Sequence, residues 1–448
     1  MSDLIVSVSG IRGIIGEGLT PEPALRFAAA LGTSFQGGRV ILSRDSRPSG
    51  LVIRHAVLAG LMGTGCDVHD LGIAPTPTVG LAVRRLDAAG GIQISASHNP
   101  APWNGLKLFG ADGAVLSPAA GRAIQTAYSG GTFAYAPWHR LGSVVEVADA
   151  ERWHRERVLE LVDGAVIRAR GFRVLLDVNA GAGGRLGKAL LESLGCQATL
   201  LGADPDGTFL HAPEPLAENL TDVLPKVRDG KADIGFVLDP DADRLAILDE
   251  QGNYIGEELT LALAVMCRLR QAKGPVVINM SSSRVTEDLC QKAGVPFHRS
   301  AVGEANVVAL MREVNALIGG EGNGGVIDPR VGWVRDPFLG IGLVLQLMAE
   351  ERKPLSAIVA GLPRYAIVKD KYTVSRERLP ALQEALEKRF TDARPNRVDG
   401  LRLDWPDRWL HIRGSNTEPI VRVIAEAPSV AGANDLCTQV SDLIRNAV

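Results

Sequence analysis

Four polar loops in this chain carry residue types that could do chemistry together, and the first is Ser95-Ala96-Ser97-His98-Asn99-Pro100. The hydroxyl of Ser97 stands beside the imidazole of His98, and the amides Asn99 and Asn104 and the ammonium of Lys107 follow in the same stretch. A nucleophile with titratable and anion-binding neighbours is what phosphoryl or acyl transfer requires. Taken alone, the stretch reads as a strand end followed by an Asn-Pro turn.

The second loop carries Asp239, Asp241 and Asp243 directly after the apolar run Ile234-Gly235-Phe236-Val237-Leu238. In extended backbone such alternating side chains point the same way. Carboxylates this close repel one another unless a hard cation sits between them, and Mg²⁺ is the expected one because it takes oxygen ligands and accepts phosphate oxygens. Arg244 stands next to the bound anion. With Glu250 the three aspartates also fall on positions one, three, five and twelve of an EF-hand loop. Arg244 then occupies the position that needs glycine, and both flanks read as strands, so that reading is rejected. A haloacid-dehalogenase-like phosphotransferase, with Asp239 as nucleophile, is an alternative that leaves Ser97 without a role.

The third loop, Gly320-Glu321-Gly322-Asn323-Gly324-Gly325, fits a dinucleotide-binding pattern, but Val326-Ile327-Asp328-Pro329 follows where a helix is required. A tight loop is the better reading, with backbone and Glu321 approaching sugar hydroxyls. Gly181 to Lys188 resembles a P-loop but has the wrong glycine spacing, and Ala189 replaces the metal-binding hydroxyl, so a helix start is expected there. In the fourth loop Arg413, Ser415, Asn416 and Thr417 make a cradle for a phosphate dianion, with Arg422 as a second cation. The bland alternative is a polar hairpin turn.

The elements that must hold these loops are strands alternating with helices, which imply βαβ units and largely parallel or mixed sheets. Helices are expected at Pro21 to Gly32, Leu51 to Gly63, Lys188 to Leu194, Glu257 to Arg270 and Phe338 to Glu350. A charged helix from Asp149 to Leu161 reads as a linker. After Pro363 the pattern changes to a small α+β unit. The 448 residues exceed one core, so roughly three or four domains are expected. A net charge of -3 gives no reason to expect nucleic acid. Five scattered cysteines argue against a disulfide framework or a thiolate metal site. No apolar run reaches the ~18 residues needed to span a bilayer, and no signal peptide is read at the start. A soluble, cytoplasmic protein is expected.

Together the loops resemble those of the α-D-phosphohexomutase family (the phosphoglucomutase/phosphomannomutase superfamily), in its order and spacing, along essentially the whole chain. The resemblance implies three similar mixed-sheet α/β domains at 1–150, 151–252 and 253–364. A smaller α+β domain follows at 365–448, and the whole is heart-shaped around a central cleft. It implies Ser97 as the phosphoserine, which also lends an oxygen to Mg²⁺ held by Asp239, Asp241 and Asp243. Arg12, His98 and Lys107 become catalytic, with Lys107 as the family's proposed general base. Arg244, Glu321, Asn323, Gly324, Arg413, Ser415, Asn416, Thr417 and Arg422 become substrate-binding. The implied reaction interconverts hexose 6-phosphate and hexose 1-phosphate through a hexose 1,6-bisphosphate. Many members carry Ser-Gly-His where this chain has Asn323-Gly324-Gly325, so that histidine's role is not carried over. This form, with Arg299 and Val302-Gly303-Glu304-Ala305-Asn306, looks most like phosphoglucosamine mutases of the archaeal and Bacteroidetes type. Glucose and mannose phosphates stand as alternative substrates, and a catalytically idle sugar-phosphate-binding protein as an alternative of another class.

Overall fold

The structure, a computed structural model, describes residues 4–414 and 420–446. Four sheets follow one another along the chain. The first has seven strands, with Val40–Arg44 lying parallel to both Val68–Ile73 and Gly90–Ile94. Trp103–Gly110 and Gly10–Ile14 extend it in antiparallel fashion. The second and third sheets have four strands each, parallel at heart and closed by one antiparallel strand, Leu245–Leu248 and Gly325–Ile327 respectively. The fourth is five-stranded and antiparallel throughout. The molecule is therefore three mixed-sheet α/β domains and a smaller C-terminal α+β domain.

Central strands such as Gly90–Ile94 and Ile234–Leu238 are buried along their whole length, which is why they read as continuous apolar runs and not as alternating ones. The helix Pro337–Glu351 is apolar almost all round and buried from Pro337 to Ala349, as a helix between two domains must be. One continuous core runs from Val158 to Leu362 and joins the second and third domains. Among the described residues no helix is long and apolar enough to cross a membrane.

Two local expectations are corrected. The helix expected from Lys188 runs over Gly184–Ser193; burial of Leu186, Leu190 and Leu191 outweighs the low helix propensity of its glycines. The charged helix is Ala150–Leu159, and it buries His154 and Val158 against its neighbours, so it is a packed element and no mere linker. The strands Gly90–Ile94, Ile234–Leu238, Ile318–Glu321 and Trp409–Gly414 each run directly into one of the four loops.

Candidate active site

Ser97 is nearly fully buried and sits in the left-handed region at φ +52°, a conformation that costs an L-residue on the order of 1 kcal/mol and persists only when its surroundings impose it. They do so here. Ser95 Oγ accepts the Ser97 N–H at 2.8 Å and donates to Asp45 Oδ2 at 2.7 Å. Arg47 is paired with Asp45 and donates to the carbonyls of Ser97 and Asn99. Asp45 and Arg47 were not singled out from the sequence, although both follow the strand Val40–Arg44 directly. Asn104 donates to Ser49 Oγ and accepts from its neighbour Gly105; it shapes the turn. Ser97 Oγ lies 3.3 Å from His98 Nδ1 and 3.2 Å from Asp239 Oδ2. Arg12 Nη1 donates to Asn99 Oδ1 at 3.2 Å, and burial holds its pKa below the ordinary arginine value.

The three aspartates do converge, but not through extended backbone. Asp239 Oδ1 accepts the N–H groups of Asp243 and Arg244, each at 3.0 Å, and Ala242 turns left-handed at φ +50°. A tight turn closed on the first carboxylate therefore gathers the other two. Ligand oxygens of all three lie within 4.8 Å of one another, and all three residues are fully buried. Lys107 Nζ donates to Asp241 Oδ2 at 3.0 Å and Asp243 Oδ2 at 2.6 Å. Thr76 Oγ1 donates to Asp241 Oδ2, and Arg335 Nη2 to Asp243 Oδ2, both at 2.6 Å. Neither Thr76 nor Arg335 was foreseen.

The charge state of this cluster tests whether a cation fits. Burial raises every carboxylate here. For Asp243 it is outweighed by Arg335 and then Lys107, and for Asp241 by Lys107 and Thr76, so both fall below the ordinary range. For Asp239 the Arg244 charge and N–H offset less, and burial beside Asp241 and Asp243 holds it well above that range. Burial works against the Lys107 ammonium too, yet Asp241 and Asp243 hold its pKa above the ordinary value. Asp241 Oδ1 and Asp243 Oδ1 are buried without any hydrogen-bond partner. Buried, unpaired carboxylate oxygens beside a third carboxylate short of positive charge are what a hard divalent cation satisfies.

His98 is lowered to about 3 by burial, by Arg244 and by Arg12, so its ring is neutral at ordinary pH. Arg244 Nη1 donates to Glu214 Oε1 at 3.2 Å, and the same oxygen stands 3.9 Å from His98 Nε2. Glu214 is a further residue at this site that the sequence did not betray.

In the glycine loop Glu321 is buried and nearly saturated: Oε1 accepts from Asn279 Nδ2 and the Gly303 N–H, and Oε2 from Arg335. Asn323 Oδ1 is buried without a partner. Gly324 is tied to the strand after the metal loop, its carbonyl accepting the Leu245 N–H at 3.1 Å. Behind the loop, Glu258 accepts the Ser283 N–H at 2.8 Å, and a Cβ at Gly322 would lie 1.9 Å from its carboxylate, so a side chain there would have to displace Glu258.

Burial, partly offset by Lys369, pushes Glu258 up to about 8 from its ordinary 4.5. The folded protein thus keeps a proton that the unfolded chain gives up. The resulting stability is fully present below the ordinary value and is lost as pH rises through about 8. Glu258→Gln is therefore expected to raise the thermal midpoint at about pH 9, by the equivalent of on the order of 1–3 kcal/mol, with little effect at about pH 4. Calorimetric melts at the two pH values check this; equal effects at both would contradict it.

In the C-terminal domain Arg413 and Arg422 are directly opposed on neighbouring antiparallel strands and so share a face. Arg413 Nε lies 3.1 Å from Asp399 Oδ2, which also accepts the Val302 N–H of the third domain at 3.0 Å. Ser415, Asn416 and Thr417 lie outside the described residues.

Fold and site together define an enzyme that moves a phosphoryl group within one molecule, and comparison with known proteins gives the family. The four domain models of Phosphoglucomutase/phosphomannomutase match in order: alpha/beta/alpha domain I over residues 3–134, domain II over 154–252, domain III over 256–365 and the C-terminal domain over 366–443. The chain belongs to the phosphoglucomutase/phosphomannomutase family, the phosphohexomutases. A Methanopyrus kandleri protein named "Probable phosphoglucosamine mutase" is 38% identical, over 98% of this chain and 97% of its own. The "Phosphoglucomutase/phosphomannomutase" of Thermococcus kodakarensis is 35% identical over 95% of each. A crystal structure of a phosphoglucomutase/phosphomannomutase family protein from Burkholderia thailandensis superposes with a TM-score of 0.88 at 27% identity, covering 99% of this chain and 97% of that one.

Proposed function

We propose that this phosphohexomutase interconverts glucosamine 6-phosphate and glucosamine 1-phosphate through a phosphorylated Ser97. The observation that carries the phosphoserine reading is the position of Ser97 Oγ, 3.2 Å from Asp239, whose partners in the triad, Asp241 and Asp243, each keep one buried oxygen unpaired. Asp239 is poorly suited to be the nucleophile, because its Oδ1 already takes two backbone N–H groups and its Oδ2 faces Ser97.

Asp239, Asp241, Asp243 and Ser97 Oγ would hold Mg²⁺, which when bound offsets charge on the phosphoryl group being transferred. The chain's own residues do the rest. The phosphoryl group leaves Ser97 Oγ for the free hydroxyl of the hexose phosphate, giving a bisphosphate, and the hydroxyl's proton passes to a basic group. Lys107 is that group by exchange: its ammonium, held between Asp241 and Asp243, gives a proton toward the departing Ser97 oxygen and takes the hydroxyl's proton in its place. In the return step the other phosphate is transferred to Ser97, and Lys107 gives the proton back. His98, neutral and 3.3 Å from Ser97 Oγ, hydrogen-bonds that oxygen and orients it for the transfer. Arg12 and Arg244 bring positive charge to the reacting phosphate. Arg413 and Arg422, with Ser415, Asn416 and Thr417, hold the phosphate that is not reacting, in both orientations of the sugar. Asn323, through its unpaired Oδ1, the Gly324 backbone and the one acceptor position left on Glu321 read sugar hydroxyls. Hexose 1,6-bisphosphate serves as intermediate and activator.

Glucosamine is favoured by the relatives' names and by local charge. Glu304 and Glu321 border the sugar side and, among the described residues, share one directly paired cation, Arg335. That surplus suits a C2 ammonium better than a C2 hydroxyl. The phosphoglucomutase/phosphomannomutase relative keeps glucose and mannose phosphates as the second reading. Turnover of glucosamine, glucose and mannose 6-phosphates, each with its matching bisphosphate, tests the choice. The expected kcat/KM for glucosamine 6-phosphate exceeds the others by about tenfold or more, equivalent to roughly 1.4 kcal/mol; a higher value for either neutral sugar contradicts it.

A further inference from the structure

The buried Arg335 takes no part in the mechanism above, yet its side chain joins two of the loops. Nη2 donates to Asp243 Oδ2 at 2.6 Å, Nη1 to Glu321 Oε2 at 3.1 Å, and Nε lies 3.4 Å from Glu304 Oε2. Its backbone is fixed as well. The Arg335 N–H donates to Glu304 Oε1 at 2.9 Å, and the next N–H, of Asp336, to the Val326 carbonyl at 2.7 Å. Asp336 Oδ1 caps the helix Pro337–Glu351, and its Oδ2 pairs at 2.7 Å with His154 Nε2, whose Nδ1 meets Thr78 Oγ1 at 2.9 Å. These contacts reach the first domain and the helix Ala150–Leu159. A guanidinium held this way is a rigid fork.

Residue 325 decides whether the fork can form. A Cβ at Gly325 would stand 2.3 Å from Arg335 Cδ and 2.9 Å from Cγ. A side chain at 325 and the present path of Arg335 exclude each other.

The two ends of the fork serve different tasks. On Asp243, Lys107 and Arg335 both take Oδ2, leaving Oδ1 unpaired for a cation. On Glu321, Arg335 takes Oε2 while Asn279 and Gly303 take Oε1, so the carboxylate cannot turn. We propose that Arg335 is a positioning residue that couples the aspartate triad to the sugar loop. It sets which oxygen Asp243 presents and fixes Glu321 relative to the phosphoryl-transfer centre. This deepens the mutase reading and rests on it.

The consequence is an asymmetry that general damage would not give. Arg335 repels an incoming cation while it orders the sugar side. Removing it should therefore tighten divalent-cation binding and weaken sugar-phosphate binding.

The test titrates MgCl₂, and separately glucosamine 6-phosphate, into the parent enzyme and into Arg335→Gln, Arg335→Lys and Gly325→Ala by calorimetry, with kcat and KM measured in parallel. In Arg335→Gln the sugar-phosphate Kd and KM are expected to rise about tenfold or more while the Mg²⁺ Kd falls. Arg335→Lys should return the Mg²⁺ Kd toward the parent value and leave KM raised, because a point charge cannot span Asp243 and Glu321 together. Gly325→Ala should raise KM by displacing the arginine stem. Sugar-phosphate affinity within about twofold of the parent in Arg335→Gln, or both affinities weakening together, overturns the proposal. If Arg335→Gln does not fold, an unchanged KM in the other two variants overturns it equally. A parent enzyme that binds glucosamine 6-phosphate without turning it over would sink the glucosamine reading instead, and the two titrations would still decide the role of Arg335.

Discussion

Ser97→Ala is expected to lose turnover by on the order of 10⁴-fold or more while the protein keeps its fold and still binds Mg²⁺. The large effect follows from the division of labour in the site. Among the described residues, Ser97 is the hydroxyl that the Ser95 and Arg47 contacts hold against Asp239. The fold survives because Ser97 is held by its backbone: its N–H and carbonyl carry the loop's bonds, and its hydroxyl bonds, among the described residues, to His98 and Asp239. Retained metal binding follows because the three carboxylates gather on a turn of their own. Steady-state assays and a Mg²⁺ titration of the same preparation check both halves, and substantial residual turnover would remove Ser97 from the mechanism.

The second large effect is expected at Lys107. Lys107→Met should lower kcat about 10²–10⁴-fold, the usual loss on removing a proton-transfer group. It should also change the protein without substrate. Lys107 is nearly buried and spans Asp241 and Asp243, and an ion-pair partner removed from such a place leaves uncompensated buried charge worth about 3–5 kcal/mol. The variant should therefore melt earlier than the parent in a chelator, and Mg²⁺ should recover most of the difference. The parent, with its ammonium in place, should gain less from Mg²⁺. Thermal midpoints of both proteins in EDTA and in MgCl₂ measure this directly. Equal Mg²⁺ stabilisation of the two would show that the ammonium and the cation do not share the carboxylates.

What could be read from the sequence was what is local in it. Ser97 and His98 are adjacent, the three aspartates alternate within five residues, and the strands that deliver them are apolar runs, so the loops and the α/β units were legible. The geometry by which the aspartates meet was not. Alternation suggested an extended segment, whereas the backbone N–H groups of Asp243 and Arg244 fold it onto Asp239, a local bond that a spacing rule does not contain. The partners from distant segments were hidden for a different reason. Thr76 on Asp241, Arg335 between Asp243 and Glu321, and Glu214 on Arg244 come together only once three sheets are in place. Nothing in the run Arg335-Asp336-Pro337 marks it as more than a helix start. Gly325 carried half of the signal: the family resemblance sets a histidine at this place, and the structure has the stem of Arg335 in the space a side chain would need.

The most direct measurement maps the phosphate after the enzyme is incubated with a hexose 1,6-bisphosphate and Mg²⁺ and digested for peptide mass spectrometry. A hydroxylamine-stable phosphate on Ser97, lost when excess hexose 6-phosphate is added, is the predicted result. A hydroxylamine-labile acyl phosphate on Asp239, with Ser97 unmodified, would contradict it.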